Sequence, residues 1–149
     1  MTWITPLGLP VIQPYRRVST HVVRTVLQSI TLAYNNDDLP VAASRQCSAF
    51  PPNFVHSLDA THMLLTCLKM KAEKLTFASV HDSFWTHACD IDTMNELIRD
   101  AFIELYEQPI LENLRSSLTM RYPHIEFAPV PERGALEIRG VKDSKYFFH

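Results

Sequence analysis

Glycine is scarce in this sequence, which has three Gly against ten Pro in 149 residues. Few positions can therefore adopt a positive φ angle without strain, and no glycine-rich loop is available to cradle a phosphate. An excess of charge of one sign is lacking too, since 14 Lys and Arg stand against 16 Asp and Glu. The net charge of −2 argues against a freestanding nucleic-acid-binding module, which usually carries a strongly basic face.

Cysteine is also sparse, and its pattern indicates neither a metal site nor a disulfide framework. Cys47, Cys67 and Cys89 are odd in number, and none lies in a Cys-x-x-Cys motif or a Cys/His cluster of zinc spacing. We expect them to be reduced, buried thiols. The sequence also lacks a signal-peptide pattern and any run of about 18 apolar residues. It therefore predicts a soluble protein with no membrane span.

The sequence does have enough apolar surface for a folded core. Hydrophobic residues make up 46% of the chain and charged residues 20%, which excludes a disordered tail. A chain of 149 residues can build one ordinary core but not two, so a single domain is the first expectation.

The first part of the chain is typical of extended structure. Residues 3–15 predict a hairpin, because Pro6 and Gly8 suit the second and fourth positions of a type I turn. Residues 22–34 are rich in β-branched side chains and predict one strand.

A loop and a long helix are predicted next. The polar cluster at residues 35–40 predicts the loop, and a short helical turn at 41–50 is expected to end at Pro51 and Pro52. Residues 53–74 predict a helix of five to six turns. Its apolar side chains recur at helical spacing and predict the buried stripe: Val55, Leu58, Leu65, Leu68 and Ala72.

A second hairpin is predicted after this helix. Two β-rich runs, Leu75–Val80 and Ser83–Ala88, are separated only by His81 and Asp82. With no Gly or Asn available, His and Asp are among the residues that best tolerate a positive φ angle in such a turn. The turn should therefore hold both polar side chains out at its tip.

Helical segments and a tail complete the chain. Thr93 and Glu96 have capping-box spacing and open a second long helix, which Pro109 should break or kink. Residues 123–149 form a C-terminal tail, and we expect its aromatic end at 146–148 to be docked, because exposed aromatic faces are costly.

The densest polar group combines His81 and Asp82 with the nearby His87. It also includes His56 and Asp59, which share a flank of the preceding helix. One interpretation is a plain hydrogen-bonded turn. A second is a metal hydrolase of the His-Asp type, but such sites place the dipeptide on a helix, and here it lies between strands. A Ser-His-Asp triad using a nearby serine lacks a nucleophile-elbow motif.

A third interpretation makes Asp82 one ligand of a two-metal site for phosphoryl transfer. Mg²⁺ prefers carboxylate oxygens and needs only one or two of them when substrate phosphates complete its shell. Two ions about 3.5–4 Å apart can activate an attacking 3′-oxygen and stabilise leaving pyrophosphate. A hairpin tip suits such a ligand, because the strands behind it keep the backbone rigid. The chemistry requires a second carboxylate from elsewhere.

Four segments carry a family resemblance: WITPLGLPVIQPY at residues 3–15, PNFVHSLD at 52–59, VHDSF at 80–84 and WTHA at 85–88. Together they resemble the C-terminal part of single-subunit, bacteriophage-type DNA-directed RNA polymerases, and the last resembles the mitochondrial branch. The resemblance covers nearly the whole chain. It implies an α+β fold, namely part of the palm of a right-hand polymerase, with the hairpin packed on long helices.

The resemblance implies a role for each matching residue. Asp82 matches the palm aspartate that coordinates catalytic Mg²⁺, and His81 matches the histidine beside the growing RNA end. His56 matches a histidine close to the RNA:DNA hybrid, where an imidazole can donate to minor-groove acceptors without reading sequence. Arg16 and Arg17 are candidate phosphate contacts, although exposed arginines usually form a solvated edge.

The resemblance also implies partners and a location. The partners are a DNA template, an RNA product, nucleoside triphosphates, the remainder of the polymerase chain and mitochondrial transcription factors, in the mitochondrial matrix. The other metal-binding aspartate of the family and its fingers helix are not in this sequence. We therefore expect residues 1–149 to be one partial domain, the C-terminal palm segment of a longer enzyme, inactive alone. The alternative is a truncated, non-catalytic paralogue or fragment with a structural or RNA-binding role.

With this resemblance, the balanced charge no longer argues against nucleic acid. Residues 1–50 carry four Arg against two Asp, whereas residues 51–100 carry four basic against seven acidic residues. The net charge of the whole chain averages over these two unlike segments. Acidic residues are expected where Mg²⁺ must bind.

Overall fold

The computed structural model describes residues 1–34 and 38–147, so residues 35–37 of the predicted loop and Phe148 of the aromatic end lie outside it. Its strands and α-helices are β1 (Thr2–Ile4), β2 (Pro10–Ile12), β3 (Ser19–Arg24), β4 (Ser29–Tyr34), α1 (Ala43–Ala72), β5 (Ala78–Val80), β6 (Ser83–Trp85), α2 (Ile91–Tyr106) and α3 (Ile110–Arg121). Short 3-10 helices cover Ala88–Asp90 and Ile138–Asp143. The strands pair as β1 with β2, β3 with β4 and β5 with β6. This mixture of helices and small ribbons is that of an α+β chain, as predicted.

The chain divides into two compact units. The first combines Met1–Thr2 with Ile12–Val55, and the second combines Trp3–Val11 with the residues from His56 onward. The boundary therefore falls inside α1. Within the described residues, no helix is both long and apolar enough to cross a membrane.

The first predicted hairpin is confirmed in β1 and β2. Its turn is closed by a hydrogen bond from the Gly8 N–H to the Thr5 carbonyl at 2.8 Å. Gly8 has a φ angle of 84°, which is left-handed backbone that glycine adopts without strain.

The single strand predicted over residues 22–34 is wrong, because the chain reverses there to form β3 and β4. Thr25 closes the turn, with its N–H and its hydroxyl both donating to the Gln28 carbonyl, at 2.8 and 2.9 Å. Val26 and Leu27 at the tip are 103% and 95% exposed. The turn contains no Gly, Pro, Asn or Asp, so the usual sequence signals for a reversal are absent.

The predicted end of a helix at Pro51 and Pro52 is also wrong, since α1 continues through both. A proline inside a helix removes a backbone hydrogen bond and costs about 3 kcal/mol. Both prolines are exposed, and the side chains of Gln46 and Phe54 on either side of them are buried. Gln46 Nε2 donates to the Gln13 carbonyl at 2.6 Å and Phe54 is buried, so α1 is anchored by side chains on both sides of the prolines.

The buried face of α1 differs from the predicted stripe. Leu58 and Leu65 are buried as expected, but Val55, Leu68 and Ala72 are exposed. Polar side chains fill much of the buried face: Ser57, Thr61, His62 and Thr66. The hydrophobic pattern alone therefore assigned the wrong face to part of the helix.

Two threonine hydroxyls on this face are satisfied within the helix itself. Thr61 Oγ1 donates to the Ser57 carbonyl at 2.7 Å, and Thr66 Oγ1 donates to the His62 carbonyl at 2.9 Å. A hydroxyl that bonds to the carbonyl four residues earlier can be buried without losing a partner.

A left-handed residue ends α1. Lys74 has a φ angle of 61°, and its N–H donates to the Lys71 carbonyl at 3.0 Å. The Leu75 N–H donates to the Met70 carbonyl at 2.9 Å, which completes a Schellman motif. Lysine takes the place usually held by glycine, at a cost of about 1 kcal/mol.

The second unit has two apolar clusters between its helices. One joins Leu65, Ala101 and Leu105, with Leu7, Tyr106 and Ile110 packed against it. The other joins Met70, Met94 and Ile98, with Leu75, Phe77, Phe84, Leu97 and Phe147 packed against it. Trp3, only 2% exposed, donates from Nε1 to Ser57 Oγ at 2.9 Å.

Two predictions for the second half of the chain are confirmed, the break at Pro109 and the docked aromatic end. Pro109 separates α2 from α3 as expected, although α2 begins at Ile91 and not at Thr93. The aromatic end is docked at Phe147, whose ring lies 5.0 Å from that of Phe102, while Tyr146 is 69% exposed.

The cysteine prediction is half right. All three thiols are free, as expected, but none is buried: Cys47 and Cys89 are exposed and Cys67 is half-buried.

Candidate functional site

The predicted two-residue connection between β5 and β6 is confirmed. Val80 pairs with Ser83 across the antiparallel ribbon, so His81 and Asp82 alone form its tip. His81 has the expected positive φ angle, 54°, in the left-handed region that histidine tolerates better than most residues. Both tip side chains are exposed. The backbone therefore presents His81 and Asp82 together at the end of a short ribbon.

One face of this hairpin is anchored in the core. Phe84 on β6 and Phe77 before β5 make an edge-to-face contact with ring centroids 5.3 Å apart. Both pack against the cluster of Met70, Met94 and Ile98. The Thr86 hydroxyl also donates to the Thr76 carbonyl at 2.7 Å, tying the two ends of the ribbon together.

A buried histidine that sequence reasoning did not single out lies behind Phe84. His62 on α1 is 7% exposed, with its ring centroid 6.3 Å from that of Phe84 and 5.7 Å from that of Phe102. Its Nε2 lies 2.9 Å from the carbonyl oxygen of Ile98 on α2. Because a carbonyl only accepts, Nε2 carries the hydrogen. The hydrophobic pattern of α1 could not reveal this residue, since the buried face there is largely polar.

The environment of His62 favours the neutral imidazole. Burial lowers the pKa of His62 below its ordinary value of 6.5, and this outweighs the opposing effects of the Ile98 carbonyl and the Asp59 carboxylate. The ring is thus a neutral hydrogen-bond donor at physiological pH.

This lowered pKa predicts a pH-dependent stability. Below about pH 6.5 the unfolded chain binds a proton at His62, whereas the folded chain, with its lower pKa, does not. The free energy of unfolding should therefore fall as the pH falls through that value. The contribution of this one group has a slope of at most about 1.4 kcal/mol per pH unit. Urea denaturation between pH 5 and pH 8 measures it, and His62→Gln should remove this component. Parallel curves for the two proteins would contradict the assignment.

Asp82 offers one free carboxylate. Among residues 1–34 and 38–147, no hydrogen bond or ion pair engages it, and no cluster of three or more His, Cys, Asp or Glu side chains is arranged to hold a metal ion. An exposed, unpaired carboxylate is a ligand that Mg²⁺ accepts. The tip supplies this single carboxylate as a candidate metal ligand.

The other predicted site residues, His56, Arg16 and Arg17, are all exposed. His56 is exposed on α1 in the same unit as Asp82, and no hydrogen bond joins it to the tip among the described side chains. Arg16 and Arg17 are exposed in the first unit. Arg16 Nη1 donates to the Leu39 carbonyl at 2.8 Å, and the Arg17 N–H donates to the Pro40 carbonyl at 2.9 Å.

A separate charged groove of about 520 Å³ lies beside α2. Its carboxylates are engaged in ion pairs: Glu104 with Lys69 at 2.7 Å, Glu107 with Arg139 at 2.7 Å and Asp100 with Lys142 at 2.6 Å. Exposed pairs of this kind contribute about 1 kcal/mol or less each. The groove is a solvated, charge-balanced surface, and the hairpin tip remains the candidate site.

Comparison with known proteins identifies the family. A model of the DNA-dependent RNA polymerase family matches residues 1–126, and the chain belongs to this family. The resemblance drawn from the four sequence segments is thereby confirmed.

Relatives of the chain carry matching names. It is 53% identical to DNA-directed RNA polymerase 1B, mitochondrial, of Nicotiana tabacum, and 54% identical to DNA-directed RNA polymerase 1, mitochondrial, of Arabidopsis thaliana. Each match covers 99% of this chain but only 14% and 15% of the relative. DNA-directed RNA polymerase 1A of Nicotiana tabacum is 52% identical, and the chain covers 94% of it. The chain thus spans about one seventh of the first two relatives.

Proposed function

We propose that the chain is the C-terminal palm segment of a DNA-directed RNA polymerase that makes RNA from nucleoside triphosphates in the mitochondrial matrix. The observation that carries this proposal is the identity of 53% across 147 residues to a protein named as a mitochondrial DNA-directed RNA polymerase. In such an enzyme the rest of the polymerase chain, a DNA template, the RNA product and mitochondrial transcription factors are the partners.

Asp82 is proposed as one of two carboxylates that hold the catalytic Mg²⁺ ions. Its exposure at the tip supports this role, as does the packing of Phe84 behind it in an apolar cluster, because a metal ligand needs a supported backbone. When bound, the ions would lower the pKa of the RNA 3′-hydroxyl and offset the charge on the leaving pyrophosphate. The second carboxylate belongs to the rest of the polymerase, so residues 1–149 alone should add no nucleotides.

The remaining residues are proposed to bind and orient nucleic acid. His81, next to Asp82 at the tip, is suited to a position beside the RNA 3′ end. His56, exposed on α1, can donate from its imidazole to groove acceptors of the RNA:DNA hybrid. Arg16 and Arg17 are proposed phosphate contacts, and Arg16 keeps donors available beyond its bond to Leu39.

A chimera tests this function. Residues 1–147 of the chain replace the matching segment of DNA-directed RNA polymerase 1, mitochondrial, of Arabidopsis thaliana, to which the chain is 54% identical. We expect the chimera to extend an RNA primer on a DNA template when nucleoside triphosphates and Mg²⁺ are supplied. The parent enzyme is the positive control, and residues 1–149 alone should be inactive.

The chimera also tests the non-catalytic alternative. A chimera that is folded and binds template as tightly as the parent, yet adds no nucleotide, would indicate a segment that has kept its shape and lost its chemistry. That result would replace the proposed function with a structural or RNA-binding one.

A further inference from the structure

Three elements of the second unit meet at one buried side chain, His62. It belongs to α1, its Nε2–H donates to the Ile98 carbonyl of α2 at 2.9 Å, and its ring contacts Phe84 of β6. Phe84 is two residues from Asp82. Ile98 itself is 1% exposed and belongs to the cluster against which Phe84 packs.

Burying an imidazole is unfavourable unless its polar atoms are bonded, and at His62 the Nε2–H is bonded to the Ile98 carbonyl at 2.9 Å. A leucine or phenylalanine of similar size could fill the same space without any such bond. What the imidazole adds is direction, because its bond to Ile98 fixes the ring plane between Phe84 and Phe102. The Phe102 ring meets it edge-on, at 84° and 5.7 Å.

We propose that His62 is a positioning residue for nucleotide addition: it fixes the hairpin whose tip carries Asp82, through its bond to α2 and its contact with Phe84. This inference rests on the proposed function. Asp82 has no bond of its own to another described side chain, so the strand behind it must hold its carboxylate in place. A displacement of about 1 Å at a catalytic group can lower a rate about 100-fold.

Two substitutions separate the hydrogen bond from the ring. His62→Phe keeps an aromatic ring and loses the donor, whereas His62→Gln keeps an N–H donor near the position of Nε2 and replaces the ring with an aliphatic stem that still packs against Phe84. Leu105→Val is the matched control, because it trims the other apolar cluster, to which neither His62 nor the hairpin belongs. All are made in the full-length chimera.

Two measurements are made on each protein. Hydrogen–deuterium exchange follows the peptide that covers residues 78–85, with a peptide from α3 as the internal reference. Single-nucleotide addition gives kcat and KM.

For His62→Phe we expect exchange in the hairpin to rise about 10-fold with α3 unchanged. We also expect kcat to fall about 10-fold, with KM for the nucleotide within about twofold. In His62→Gln, the exchange rate of the hairpin and kcat should both lie within about threefold of the parent values. Leu105→Val should lower the melting temperature but leave hairpin exchange and kcat unchanged.

Unchanged exchange in His62→Phe would overturn the proposal, as would a loosened hairpin with normal kcat. The proposal would also be overturned if His62→Gln failed to restore hairpin exchange and kcat, because the bond to Ile98 would then not be what holds the hairpin. If the parent chimera adds no nucleotide, the proposed function fails separately, and the exchange measurement still decides whether His62 fixes the hairpin.

Discussion

Asp82→Asn should abolish nucleotide addition in the active chimera. Asparagine keeps the size of the side chain but removes its charge and replaces one carboxylate oxygen with an N–H donor that repels a cation. A bound divalent ion supplies several kcal/mol of transition-state stabilisation, so we expect a rate at least about 1,000-fold lower. Template affinity should stay within about twofold, since it depends chiefly on contacts to phosphates. Single-nucleotide extension and a template-binding titration measure the two effects.

Asp92→Asn is the matched control for Asp82→Asn. Asp92 is an exposed carboxylate in the first turn of α2, where it contributes at most about 1 kcal/mol through the helix dipole. Asp92→Asn should leave the rate of nucleotide addition unchanged. A rate for Asp82→Asn within tenfold of the parent would remove Asp82 from the proposed metal site.

Trp3→Ala should be among the most destabilising substitutions in the chain. Trp3 is 2% exposed and donates to Ser57 at 2.9 Å, so truncation removes both a large buried ring and the partner of a buried hydroxyl. Replacing a buried tryptophan by alanine costs about 3–5 kcal/mol. Whole domains are stable by about 5–15 kcal/mol, so this loss is a large share of the total.

The chain contains one other tryptophan, which serves as the control. Trp85 on β6 is 51% exposed, and its truncation should cost about 1 kcal/mol or less. Urea denaturation of Trp3→Ala, Trp85→Ala and the unchanged chain measures the difference. Equal losses for the two variants would contradict the burial of Trp3.

The backbone of the hairpin that carries the candidate site could be predicted because it depends on local signals. Two β-rich runs separated by two residues leave few choices for the backbone, and His81 takes the positive φ angle that this geometry requires. Pro109 and Gly8 likewise act through their own backbone preferences, so their effects follow from position in the sequence.

The features that were missed depend on contacts between residues far apart or on side-chain hydrogen bonds. Thr25 closes the β3–β4 turn with its hydroxyl, a role that composition does not reveal. Thr66 is buried on α1 because its hydroxyl bonds within the helix, and periodicity counts it as polar. His62 is functionally interesting only because α2 brings Ile98 to it, 36 residues away.

The β3–β4 ribbon has a consequence for how the stability of the chain should be measured. Most of its side chains are exposed on both faces, and two paired strands alone are only marginally stable in water. The ribbon can therefore open locally at a small cost while the apolar clusters of α1 and α2 stay closed. A single melting temperature would average these events, whereas residue-resolved opening free energies would separate them.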